Sequence, residues 1–105
     1  MKICIFCRAN ASLDPEVDRQ VKILMSDFAA NKVELVYGGA GIGVMGALAN
    51  ELLNKGGNVY GVIPQHLMKK EIAHAGLTKL HVVSDMHERK KLMYEISDAF
   101  LIFVS

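Results

Sequence analysis

Five short apolar runs, Lys2–Cys7, Val33–Tyr37, Asn58–Ile63, Leu80–Val83 and Ala99–Val104, alternate with amphipathic helical stretches along 105 residues. This alternation limits the fold more than any other feature of the chain. Strand–helix–strand repeats predict a parallel, doubly wound sheet with right-handed crossovers. The last run, Ala-Phe-Leu-Ile-Phe-Val, is apolar at every position, as a parallel strand covered on both faces should be. A single α/β domain over residues 1–105, with about five strands, is therefore expected.

Helix signals lie between the runs. Asp14-Pro15 supplies a cap followed by proline at the first helical position, and Val17, Val21, Leu24, Met25 and Phe28 form one stripe at helical spacing. Asn31 is expected to stop this helix in a left-handed conformation. Val44, Met45, Leu48, Leu52 and Leu53 repeat the stripe before Gly56-Gly57. Asp85 with Glu88 resembles a capping box, and its helix should carry Met86, Met93 and Ile96 toward the core. Gln65–Gly76 reads as a short helix and then a loop. No covering helix follows the fifth strand, so the domain is expected to be C-terminally incomplete. Either a partner subunit covers that strand or the chain is a fragment of something longer.

Composition narrows the function classes. Hydrophobic residues make up 51%, enough for a real core, and a formal net charge of +1 leaves no basic footprint for nucleic acid. No apolar run approaches a membrane span, and "MKICIFC" has no cleavage-type tail. A cytoplasmic protein with neither nucleic-acid nor membrane partners is expected. Cys4 and Cys7 form a C-x-x-C inside a strand, where alternation aims the two sulfurs at opposite faces. A redox pair would sit at a helix start, and zinc would need two further ligands. Core and rim thiols are the plainer assignment.

Gly41-Ile-Gly43-Val-Met-Gly46 spells G-x-G-x-x-G, the dinucleotide fingerprint. Glycines between a strand and a helix let the backbone approach an anion near the open N–H groups of the helix start. The same spelling also suits a tight turn made for close packing. The loop follows the second strand rather than the first, and the next strand ends in Pro64-Gln65 instead of a ribose-binding acid. NAD is therefore disfavoured, and no Gly-Lys-Ser/Thr follows for a P-loop. In "SDMHERKK", Arg89 and Lys90 lie near a helix start, where cations oppose the dipole. An anion bound there, phosphate above all, would explain them, while Lys91 reads as a solvated charge. Both segments belong to the carboxyl edge of the sheet, where open α/β folds bind ligands. His87-Glu88 lacks a second histidine at metalloprotease spacing, and His66, His74 and His81 read as surface or structural residues.

"CIFC", "VYGGAGIGVMG", "GVIPQHLMKKE" and "SDMHERKKLMYEISDAFLIF" resemble, in order, the blocks of the LOG ("Lonely guy") family over nearly the whole chain. Members are cytokinin riboside 5′-monophosphate phosphoribohydrolases, and bacterial relatives cleave AMP. The resemblance implies a Rossmann-like fold, a homodimer or higher homo-oligomer, and hydrolysis of the N-glycosidic bond of a nucleoside 5′-monophosphate. It implies substrate-binding positions at Glu71, Arg89, Lys90, Gly39 and Gly41, with Arg89 also catalytic. Many such proteins once carried a lysine decarboxylase label, but the sequence nominates no pyridoxal Schiff-base lysine. No cofactor and no metal are expected. Two departures stand out: Arg8-Ala9 replaces the family's usual Gly-Ser, and its P-G-G-x-G-T-x-x-E motif would begin at about Val104-Ser105. The chain is thus expected to be inactive alone. The alternatives are a non-catalytic nucleotide-binding or oligomerising module and, less favoured, an NAD-binding protein.

Overall fold

The computed structural model describes residues 1–7 and 13–103. Arg8-Ala9 and Val104-Ser105 lie outside the described residues. The elements are β1 (Lys2–Cys7), α1 (Pro15–Ala30), β2 (Glu34–Tyr37), α2 (Gly43–Asn54), β3 (Val59–Pro64), β4 (Lys79–Val83), α3 (Met86–Ile96) and β5 (Ala99–Phe103). Every pairing is parallel, in the order β4-β3-β2-β1-β5. From β1 the chain steps outward to β4, then returns for β5 to the other side of β1. The order therefore reverses between β1 and β5. This is a Rossmann-like α/β fold.

Strand alternation divides the interior into two layers. Ile5, Leu35, Tyr37 and Val59 face α1 and α2, where Val21, Met25, Leu48 and Leu52 close a buried cluster. Cys4, Val36 and Val62 face α3 and pack with Met93. Burying a side chain such as Leu48 or Leu52 is worth roughly 1.5–3 kcal/mol. Cys7 packs against the first cluster and Cys4 lies in the second, so the two thiols do occupy opposite faces.

Local signals act much as their chemistry requires. The Asp14 carboxylate accepts from the Val17 amide at 2.9 Å, with Pro15 opening α1. The left-handed stop, however, is Lys32 (φ 55°) and not Asn31, whose φ is −101°. The Val33 and Lys32 amides donate to Phe28 and Ala29 at 2.8 and 3.2 Å, which places the reversal one residue past the cap. Met86 also departs from expectation: it is exposed at the start of α3, and Arg89 takes the buried place on that turn. Gln65–Leu67 is one 3-10 turn, and further turns carry the chain to an isolated antiparallel bridge between Ala40 and Ala73. On the α3 side of β5, Phe100 stacks between Phe6 and Tyr94. Tyr94 and Ile102 stay 72% and 77% exposed, so this edge presents apolar surface to solvent.

Candidate functional site

Arg89 organises the carboxyl edge of the sheet. It lies one turn into α3, whose start is fixed by Asp85 accepting from the Glu88 amide at 2.8 Å. Glu88 turns back to the Ser84 hydroxyl, so the capping box is only half made. From the helix, the Arg89 side chain runs inward and is 8% exposed. Its Nε donates to the Val62 carbonyl at 2.9 Å, and Nη2 donates to the Gly38 carbonyl at 2.6 Å and to Glu71 Oε1 at 2.9 Å. One cation thus joins the ends of β2 and β3 to the segment carrying Glu71. Among the described residues Nη1 contacts only the weak acceptor Met86 Sδ, at 3.8 Å, which leaves it hydrogen-bonding capacity.

A cavity of about 180 Å³ opens beside this guanidinium. Glu71, Arg89 and Lys90 line it together with the apolar side chains of Phe6, Met45 and Met93. Residues of β1 and of the α3 start meet here, at the reversal of strand order, where an open α/β sheet leaves its ligand crevice. Lys90 has no carboxylate partner among the described residues and is exposed. Burial pushes the Cys7 thiol, also at the cavity, above its usual range.

Three of the five residues named from the sequence, Glu71, Arg89 and Lys90, therefore come together. Gly39 and Gly41 sit behind them. A Cβ on Gly41 would lie 2.5 Å from the Ile72 carbonyl oxygen, and the Gly41 amide donates to that oxygen at 2.6 Å. Gly41 lets residues 72–74 cross the loop closely, which is the packing use of the fingerprint, while a Cβ on Gly39 would meet Leu80 and Ile63. The glycine that touches the charged cluster is Gly38, where a Cβ would fall 2.3 Å from Arg89 Nη2. "YGGAG" displays Gly38, but matching G-x-G-x-x-G begins three residues later and passes over it.

Comparisons with known proteins bear on the family and the fold. A family model described as "possible lysine decarboxylase" matches residues 45–104. A cytokinin riboside 5′-monophosphate phosphoribohydrolase of Rhodococcoides fascians is 46% identical over 100 residues, covering 94% of this chain and 50% of the relative. The Arabidopsis thaliana phosphoribohydrolase LOG1 is 37% identical, over 95% of this chain and 47% of its own length. The chain spans about half the length of the curated relatives it matches. Among solved structures, TM1055 superposes with a TM-score of 0.76 at 20% identity, covering 97% of this chain and 59% of that one. The molybdenum cofactor carrier protein of Chlamydomonas reinhardtii superposes at 0.75 with 17% identity, covering 96% and 60%. These last two speak for the fold alone. With the sequence blocks, the sheet order and these relatives in agreement, the chain belongs to the LOG family.

Proposed function

We propose that this chain carries one wall of a nucleoside 5′-monophosphate site of the phosphoribohydrolase type, for AMP or a cytokinin riboside monophosphate. The observation that carries the reading is the convergence of Glu71, Arg89 and Lys90 on one cavity at the reversal of strand order. Lys90 and the remaining Nη1 hydrogens of Arg89 offer positive charge to a phosphate. The apolar side chains of Phe6, Met45 and Met93 suit a flat base. In hydrolysis, water adds at C1′ of the ribose while the bond to the base nitrogen breaks. The base leaves with the electron pair and a proton, through an oxocarbenium-like sugar that a nearby carboxylate stabilises. Within the described residues Glu71 is the carboxylate lining the cavity, and Arg89 already engages it at 2.9 Å. We infer that the 105-residue chain binds nucleotide but turns it over poorly or not at all.

Calorimetric titration with AMP, alongside chromatographic detection of adenine, tests this. Binding that weakens in Lys90→Ala, without adenine release, is the expected result. Absence of binding sinks the nucleotide reading, and steady adenine release sinks the claim of inactivity. A pyridoxal phosphate, which a lysine decarboxylase would need, does not fit these residues. Among the described residues, the lysine at the cavity is the exposed Lys90, and the carboxylate available to a pyridinium nitrogen is held by Arg89. A homodimer is proposed as well, supported by the exposed Tyr94 and Ile102 beside the stacked Phe100. The two free cysteines suit a reducing compartment such as the cytoplasm. Among the described residues, no helix is long and apolar enough to cross a membrane.

A further inference from the structure

Glu71 closes a run of turns held by local bonds: its amide donates to the Leu67 carbonyl and the Ala73 amide to the Met68 carbonyl, both at 2.9 Å. The next residue, Ile72, has φ 48°, a left-handed conformation that a β-branched side chain disfavours. Such a backbone persists only where its surroundings hold it. The main chain supplies part of that hold: the Ala40–Ala73 bridge, and the His74 amide donating to the Gly39 carbonyl at 2.9 Å. The side chain of His74 adds a tie to α2. Its Nδ1 accepts from the Gly76 amide at 2.9 Å, so the ring hydrogen resides on Nε2. That Nε2 donates to Asn50 Oδ1 on α2 at 2.6 Å.

We propose that His74 is a positioning residue for Glu71: bridging Asn50 and the Gly76 amide, it fastens the strained 71–74 segment to α2 and so aims the carboxylate at Arg89. The proposal rests on the reading that Glu71 belongs to the nucleotide site, but its test does not need nucleotide. In the ¹⁵N-arginine-labelled chain, the Arg89 Nη2 resonance reports the Glu71 contact, and amide exchange at Gly41 reports its bond to Ile72. His74→Ala should move the Nη2 resonance toward its position in Glu71→Gln and speed Gly41 exchange about threefold to tenfold. Asn50→Ala should do the same. His74→Gln, whose amide can reach Asn50 where Nε2 did, should restore both signals, and His74→Asn, which mimics only Nδ1, should not. Parent-like Arg89 and Gly41 signals in His74→Ala overturn the proposal, as does rescue by asparagine but not glutamine. A chain that fails to bind AMP yet keeps this dependence on His74 sinks the functional reading and supports the positioning one.

Discussion

At Arg89 a single side chain ties three segments together and, in the proposed function, also faces the ligand. Its three hydrogen bonds to Val62, Gly38 and Glu71 offset the cost of burying a cation, and they leave Nη1 for a ligand. Gly38 is the condition for this arrangement, since a methyl group there would displace Nη2. Gly38→Ala should therefore lower stability by about 1–2 kcal/mol through lost hydrogen bonds, read from urea unfolding, and should weaken AMP binding with it. A second residue-scale prediction concerns Cys4. Burial raises its thiol pKa to about 11, from an ordinary value of 9.0. Between those values the unfolded chain loses the proton first, so stability falls as pH rises from about 9 toward 11. Tyr37, also pushed up by burial, adds the same sign at higher pH. Thermal melts of Cys4→Ala should show a shallower alkaline decline than the parent, and an equal decline would show that another group carries it.

Among the elements, helix ends were largely legible because capping is local chemistry. Asp14-Pro15 and Asp85 both cap the helices they announce. Gly56 ends α2 at φ 80°, with the Gly57 amide donating to Leu52 at 2.9 Å. Asn31 does cap α1, but the left-handed residue is Lys32, because two overlapping bonds, from Lys32 and Val33, decide which residue reverses and the side chain of Asn31 does not. Lys32 consequently pays a steric cost that glycine would avoid. Lys32→Gly should raise stability by about 0.5–1 kcal/mol, seen as a higher urea midpoint with an unchanged slope. No change in midpoint would mean that the left-handed turn is already relaxed.

For the whole molecule, the order β4-β3-β2-β1-β5 places the crevice and also leaves β5 at an edge. The stacked Phe6, Phe100 and Tyr94 and the exposed Ile102 extend from that edge over the α3 side. Open apolar edges favour self-association. Light scattering after size exclusion should give about twice the 11.5 kDa chain mass, and Tyr94→Lys with Ile102→Lys should shift it toward monomer. A sharp monomer peak for the parent would contradict the dimer.

The family resemblance added Glu71 to Arg89 and Lys90 as proposed site residues, and from the residues alone came the parallel α/β class and the division of Cys4 and Cys7 between two faces. These follow from periodicity, capping and short motifs, which act within a few residues of one another. Tertiary structure decided what those residues do. It spent three of the Arg89 donors inside the protein, moved Gly39 and Gly41 behind the crevice, brought Gly38 and Val62 carbonyls to the guanidinium, and tied His74 to Asn50. The reason is physical: a buried charge must find its partners through space, and the carbonyls of Gly38 and Val62 lie 51 and 27 residues away along the chain.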